Sequence, residues 1–354
     1  MTKNVNRLIF LDCLRIFAFT SVLVGHKFYD VLDNLEKSQS IHLTLKVIID
    51  VLKTACWGGG AGVIVFFLIS GYIITLVLKT EDTKTFLIKR AFRIYPLYIF
   101  AVLLESVLDH LINQTAYPPL SILLPRLLLV GDFFDTPYAL NNVEWTLRIE
   151  VLFYVFMAIF KSLGLMNRAK LLPLTYFITV ILLQMIGPFP SAPGWSHGYI
   201  TLFLPFLFMG SCIYLMEVKD ISKVLALSCM SCIFISFLYL SPLLSPVGKD
   251  SHFAIFAFAI FLAIWLIRIN LKSYFFLALL SELTYSVYLF HNWLWSYLEL
   301  GVKNYSLIIG YQRLQVLFIL LMICYLFQLT IEKFGIFLGK RLLKSRLMSL
   351  QFSL

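Results

Sequence analysis

The segment GAGVIVFFLISGYIITLVLK, residues 60–79, decides the fold of this chain. It is about twenty residues long, nearly all of them apolar, and its single charge stands at the last position, Lys79. An apolar helix of this length crosses a hydrocarbon core of about 30 Å. We therefore predict that residues 60–79 form a transmembrane helix.

Apolar blocks of similar length recur along the whole chain. Two other segments differ from them: residues 41–57 are amphipathic and are expected on the membrane surface, and residues 119–130 are short, interrupted by proline and expected to be re-entrant or interfacial. The sequence thus predicts an all-α fold, a polytopic membrane helix bundle of about ten transmembrane helices. The predicted spans are 8–31, 60–79, 94–112, 144–165, 171–187, 198–216, 223–240, 252–268, 275–298 and 313–334.

Composition and charge agree with a membrane protein. With 60% hydrophobic and 14% charged residues, the chain has too little polar surface to cover a water-soluble particle of its size. The net charge is +10. The basic residues lie mostly in short loops, with about nineteen on one side of the predicted membrane and about eight on the other. This bias predicts orientation rather than a nucleic-acid partner, so we expect both termini in the cytoplasm. We expect one membrane domain over residues 1–346 and a short cytoplasmic tail over 347–354.

Charged side chains at membrane depth are costly and indicate function. In LDCLRIFAFTSVLVGH, residues 11–26, Arg15 and His26 are eleven residues apart, about three helical turns, so both lie on one face. Asp12 lies one turn before Arg15 and can pair with it. Counted from the predicted membrane entry points, His26 reaches the same outer half of the membrane as Glu150 and His291. We expect a polar path through the bundle.

Each of these charged residues also has a structural explanation. His291 can be a hydrogen-bonded packing residue, and Arg15 can form a purely structural ion pair with Asp12 or Glu150. Other acids and bases at membrane depth can be solvated, snorkelling or structural: Glu105, Asp109, Arg148 and Glu282. The CxxC spacing of Cys229 and Cys232 lacks a second Cys or His pair, so we expect no metal site.

The segment KRAFRIYPLY, residues 89–98, concentrates positive charge before the third predicted span. Arg90 and Arg93 lie one helical turn apart, which presents two guanidinium groups suited to phosphate oxygens. The alternative is ordinary positive charge on the cytoplasmic side. The glycines of GGGAG, residues 58–62, follow no strand, so they indicate close helix approach or a turn rather than a phosphate loop.

Five segments in this order resemble the membrane acyltransferase family 3, bacterial O-acyltransferases of polysaccharides and related acceptors, over nearly the whole chain. They are LDCLRIFAFTSVLVGH with the Arg-x10-His spacing, FFLISGYII at 66–74, KRAFRIYPLY, WTLRIEVLFY at 145–154, and LTYSVYLFH at 283–291. The chain departs from many members at Cys13 and Ile16, where they carry glycine, and at Ile64, where they carry an acid. The second departure puts an extra carboxylate role in doubt.

The resemblance implies a membrane O-acyltransferase, most simply an O-acetyltransferase, in the inner membrane of a bacterium. Acyl-CoA is then the donor, arriving from the cytoplasm, with no permanently bound cofactor, and a cell-envelope or exported polysaccharide is the acceptor. The resemblance assigns catalysis to His26 with Arg15 and Glu150, and the phosphates of the coenzyme to Arg90 and Arg93 with Lys89. It leaves supporting roles to the remaining matched residues, Asp12, Trp145 and His291.

Two mechanisms and two rival functions remain open at this stage. His26 can take the proton of the acceptor hydroxyl during direct transfer, or it can carry the acyl group covalently. In direct transfer, Glu150 would orient the imidazole and Arg15 would stabilise the oxyanion. A secondary transporter or sugar exporter would use the same charges as a substrate path, and a structural scaffold would not need them. The sequence does not identify the acceptor sugar, the acyl group (acetyl, succinyl or another) or the oligomeric state.

Overall fold

The protein is helical throughout the part that the structure, a computed structural model, describes: residues 8–39, 41–191, 196–244, 250–305 and 311–351. No β-strand occurs in these ranges. The α-helices are α1 (Ile9–Lys27), α2 (Tyr29–Lys37), α3 (Leu43–Cys56), α4 (Gly60–Leu78), α5 (Thr83–Asn113), α6 (Leu120–Leu127), α7 (Trp145–Ser162), α8 (Leu172–Ile186), α9 (Tyr199–Glu217), α10 (Lys223–Leu244), α11 (Asp250–Leu266), α12 (Phe275–Phe290), α13 (Trp293–Tyr305), α14 (Gln312–Phe327) and α15 (Lys333–Gln351). A π-helical turn, Gln328–Glu332, joins α14 to α15.

The prediction of an all-α polytopic membrane protein is confirmed. Two apolar helices are shorter than a full crossing, His252–Leu266 and Phe275–Phe290. The fourth predicted span is also a helix, α7, which carries Arg148 and Glu150. Among the described residues, seven helical stretches are long and apolar enough to cross a membrane: Ile9–Lys27, Leu43–Leu78, Thr83–Asn113, Ala169–Ile186, Tyr199–Glu217, Lys223–Leu244 and Gln312–Ser345.

Several predicted span boundaries differ from the structure: the first span ends at Lys27 rather than 31, the last helical stretch runs past 334 to Ser345, and the third and ninth spans also differ. The third span was expected to begin at residue 94, but α5 begins at Thr83, because Asp82 caps it by accepting a hydrogen bond from the Thr85 amide at 3.0 Å. Hydrogen bonds from the Thr85 hydroxyl and amide lower the pKa of Asp82, which keeps the cap ionised. The predicted span 275–298 is interrupted between α12 and α13, where the Asn292 side chain donates to the Asn141 carbonyl at 3.0 Å.

The amphipathic and glycine-rich segments form a helix and a turn. The segment 41–57 contains α3, which exposes large apolar side chains such as Leu43 and Val47. The following glycines turn the chain, with φ of 53° at Gly58 and 72° at Gly59, and a Cβ at Gly59 would lie 2.9 Å from the Cα of Val22. Both readings of these glycines, a turn and a close helix approach, are confirmed. Within 119–130, α6 is a helix of 8 residues that includes Pro125, too short to cross a membrane.

The chain divides into two compact units, and the first comprises residues 1–75 and 168–284. Helix α9 is its core and is buried along nearly its whole length. Glycines let α4 and α9 approach closely: a Cβ at Gly71 would lie 1.8 Å from the Leu207 carbonyl oxygen, and one at Gly210 would lie 2.1 Å from that of Leu68. Beside them, the Ser211 hydroxyl is hydrogen-bonded to Thr75 at 2.6 Å and to Tyr176 at 2.7 Å.

Replacing Gly71 with alanine is expected to destabilise the protein by roughly 1–3 kcal/mol or more, because the added methyl group meets backbone rather than a movable side chain. The measurement is the thermal unfolding of the detergent-purified protein. Gly301→Ala is the matched control, since nothing lies within 4 Å of a Cβ there, and it should be neutral or stabilising by about 0.4–1 kcal/mol. Unfolding of Gly71→Ala at the wild-type temperature would contradict the α4–α9 contact.

The second unit comprises residues 76–167 and 285–354. Helix α15 packs on α5 through Gly335 and Gly339, where added Cβ atoms would lie 2.6 Å from Pro96 Cγ and 2.8 Å from Phe92 Cβ. This contact supports the basic segment that begins at Lys89. The prediction of one membrane domain followed by a tail from residue 347 stays a prediction; α15 continues as a helix to Gln351, and residues 352–354 lie outside the described part.

Candidate active site

In the first unit, Arg15 is held by a carboxylate and a hydroxyl. Its Nη1 lies 3.2 Å from Asp12 Oδ1, as the spacing of one turn predicted. The Ser281 hydroxyl, from α12, donates to the same Asp12 oxygen at 2.6 Å and lies 3.5 Å from Arg15 Nη1. The Asp12 side chain is 6% exposed but that of Arg15 is 25% exposed. The buried carboxylate and Ser281 thus fix a guanidinium that keeps one accessible side.

His26 lies in the last turn of α1 and is exposed. The turn that carries it is tied to the end of α3: the Ser21 hydroxyl donates to the Ala55 carbonyl at 2.6 Å. A Cβ at Gly25 would lie 2.1 Å from the Cys56 carbonyl oxygen, so only glycine fits directly before His26. The backbone of this turn is fixed by packing, while the imidazole remains accessible.

In the second unit, the arginine pair lies on the first turns of α5. The Arg90 guanidinium stands 5.7 Å from the centre of the Phe86 ring, and its Nε is buried without a hydrogen-bond partner among the described residues. Arg93 is exposed one turn later. Lys89, also exposed, pairs with Glu81. Arg90 therefore retains capacity to bind an anion, whereas Lys89 is already occupied.

Glu150 lies in the same unit as the arginine pair. It accepts a hydrogen bond from the Tyr154 hydroxyl at 2.5 Å, and both residues interact electrostatically with Arg90. The predicted catalytic carboxylate thus interacts electrostatically with Arg90 without a hydrogen bond to its Nε, a grouping that sequence reasoning did not foresee. The spacing of four residues between Glu150 and Tyr154 was the signal available for their hydrogen bond.

Trp145 and His291 occupy the start of α7 and the end of α12. Trp145 is the first residue of α7 and is half-buried. His291 is 1% exposed, and its Nδ1 lies 2.6 Å from the Tyr288 carbonyl oxygen, which makes Nδ1 the protonated nitrogen. The Tyr288 hydroxyl is in turn hydrogen-bonded to the Thr146 hydroxyl at 2.6 Å. His291 is therefore anchored beside the residues that begin α7.

Arg148 belongs to a separate, buried ion-pair network. Its guanidinium lies 2.8 Å from Asp132, pairs with Glu144, and stacks 4.4 Å from the centre of the Tyr138 ring. The Tyr98 hydroxyl donates to Glu144 at 2.9 Å. Since the three charged side chains of this network are almost inaccessible, Arg148 is structural, and it fixes the start of the helix that carries Glu150.

The other charges noted at membrane depth are bonded or exposed. Glu105 accepts from the Leu140 amide at 2.8 Å and Asp109 from the Tyr297 hydroxyl at 2.5 Å, whereas Glu282 is exposed. Of the CxxC pair, Cys229 is buried and Cys232 exposed. No cluster of three or more His, Cys, Asp or Glu residues able to hold a metal ion occurs in the described ranges.

The predicted site residues fall into two groups, one in each unit. The first group, on α1, is Asp12, Arg15 and His26. The second group, on α5, on α7 and after α12, is Lys89, Arg90, Arg93, Trp145, Glu150 and His291. The first group offers an accessible imidazole and a fixed cation, and the second offers cations for an anionic ligand beside a carboxylate.

Comparisons with known proteins identify a family and two similar proteins. A family model described as acyltransferase domain matches residues 8–331. The chain is similar to acyltransferase MdmB of Streptomyces mycarofaciens, 32% identical over 104 residues, which are 27% of each chain. It is also similar to nodulation protein 10 of Rhizobium leguminosarum bv. viciae, 27% identical over 167 residues, 41% of each chain. The matched parts thus span less than half of these curated relatives. No solved structure matches.

Proposed function

Because this chain belongs to the acyltransferase domain family, we propose that it moves an acetyl group from cytoplasmic acetyl-CoA to a hydroxyl of a cell-envelope or exported polysaccharide. The family match covers residues 8–331, and seven described helical stretches are long and apolar enough to cross a membrane. The donor, the acceptor and a place in the inner membrane of a bacterium are the proposal. The positive-inside bias of the loops supports the orientation, with the arginine pair at the cytoplasmic face.

The observation that carries the proposal is the state of Arg90. Its Nε is buried without a hydrogen-bond partner among the described residues, and Arg93 is exposed one turn away. An unsatisfied buried donor on a charged group is costly, so it indicates a ligand that completes it. The phosphates of acyl-CoA have the charge and geometry that two guanidinium forks bind. Lys89 would take part after release from Glu81.

In the proposed reaction, the acceptor oxygen attacks the thioester carbonyl of acetyl-CoA. His26 takes the hydroxyl proton as the carbon–oxygen bond forms. Arg15, fixed by Asp12 and Ser281, stabilises the oxyanion. The carbon–sulfur bond then breaks, and the proton passes from His26 to the leaving thiolate, giving the acetyl ester and CoA. Trp145 and His291 keep the supporting roles that the resemblance implies.

A deletion strain tests this function. We expect its envelope polysaccharide to lose the mass of one acyl group per modified sugar while the polysaccharide chain is still made and exported. Mass spectrometry of the purified polysaccharide measures the loss, and the intact gene should restore it. An exporter would instead remove the whole polysaccharide from the cell surface. An unchanged polysaccharide mass, with no release of CoA from acetyl-CoA by membranes that contain the protein, would contradict the proposal.

A further inference from the structure

We propose that Tyr154 is a positioning residue that holds the Glu150 carboxylate away from Arg90, so that Arg90 stays available to the donor phosphates. This inference rests on the proposed function, because it assigns the arginine pair to acyl-CoA. It adds to the donor site a tyrosine that does not bind the donor itself but controls which anion Arg90 binds.

The hydrogen bond between Tyr154 and Glu150 is short and shielded. The hydroxyl lies 2.5 Å from Glu150 Oε1, and Tyr154 is only 6% exposed. The two residues lie one turn apart on α7, so the helix itself sets their separation. A hydrogen bond to a charged group is stronger than one between neutral groups, and the burial of Tyr154 limits the access of water to its hydroxyl. Glu150 is therefore fixed along the axis of α7.

Phe86 connects the tyrosine to the arginine. The Tyr154 and Phe86 rings pack edge to face, with ring centres 5.8 Å apart and planes at 82°, and Phe86 is fully buried. The Arg90 guanidinium stands 5.7 Å from the centre of the same ring. Tyr154 and Arg90 thus both contact Phe86. Because Tyr154 also binds Glu150, this shared contact fixes the Arg90 guanidinium relative to the Glu150 carboxylate.

Glu150 is the natural competitor of a phosphate at this place. It interacts electrostatically with Arg90, and the guanidinium has a nitrogen without a hydrogen-bond partner among the described residues. A carboxylate released from Tyr154 would rotate towards that guanidinium and form the bidentate pair that arginine favours. The donor would then have to displace it. Removal of the Tyr154 hydroxyl should therefore weaken donor binding through Glu150.

Tyr154→Phe removes only the hydroxyl. We expect the Kd for radiolabelled acetyl-CoA, measured on the full chain in lipid nanodiscs, to rise about ten-fold. Adding Glu150→Gln should restore donor binding, because a neutral amide does not compete for the guanidinium. Glu150→Gln alone should bind acetyl-CoA at least as tightly as the wild type. Tyr176→Phe is the matched control: it loses a buried hydroxyl bonded to Ser211, and its Kd should not change.

The outcomes separate the inference from the function on which it rests. Failure of the wild type to bind acetyl-CoA would remove the proposed donor. Wild-type binding with an unchanged Kd for Tyr154→Phe, or a double variant no better than Tyr154→Phe, would overturn the positioning role alone. If Tyr154→Phe does not fold, weaker binding by Glu150→Gln alone would overturn that role, because the carboxylate would then support the donor.

Discussion

Replacing His26 with alanine is expected to lower acyl transfer by about 10²–10⁴-fold, the contribution of a general base. The proposed reaction gives the acceptor proton only to this imidazole, so no other group takes over the step. The protein should still accumulate, because His26 is exposed and alanine is a good helix former. Release of CoA from acetyl-CoA by membranes that contain the protein measures the loss, and immunoblotting measures the amount of protein.

His110→Ala is the control for this experiment. His110 is exposed at the end of α5, with its Nδ1 2.9 Å from the Thr115 carbonyl oxygen, so its replacement removes an imidazole that is exposed like that of His26. It should retain wild-type transfer. Substantial transfer by His26→Ala would remove this histidine from the mechanism, both as a base and as a covalent acyl carrier.

The fold was predictable because membrane crossing imposes a length and an apolar composition that can be read locally. Helix α4 matches its predicted span to within a residue at each end. The start of α5 was missed because the first turns, which contain Lys89 and Arg90, are polar; helix continuation there depends on the Asp82 cap rather than on hydropathy. The break after α12 was missed because it depends on a contact with Asn141, which is distant in sequence.

The site was predictable only where one helix determines it. The pairing of Asp12 with Arg15 follows from their spacing on α1. The sequence left open whether Arg148 is functional or structural. Residues two apart on a helix point to different sides, and the structure places Arg148 in a structural network. Ser281 has no signal in the sequence, because its contact with Asp12 spans 269 positions.

The arginine pair should determine affinity for the nucleotide part of the donor rather than for the acyl group. Each hydrogen bond between a guanidinium and a phosphate contributes roughly 1.5–3 kcal/mol, so loss of both arginines should weaken donor binding on the order of 10²-fold or more. A donor without the nucleotide phosphates cannot make these contacts. Acetyl-pantetheine keeps the thioester and the pantetheine arm and lacks those phosphates, which makes it the discriminating substrate.

For the double variant Arg90→Ala/Arg93→Ala, we therefore expect the KM for acetyl-CoA to rise by about 10²-fold while the KM for acetyl-pantetheine stays at the wild-type value. Lys84→Ala is the control, because this exposed lysine on the first turn of α5 shares the charge and the side of the membrane but not the site. An equal loss with both donors would show that the arginines act on folding or on the acyl end. An equal rise in the KM for acetyl-CoA with Lys84→Ala would show that general positive charge attracts the donor, rather than two guanidinium groups at defined positions.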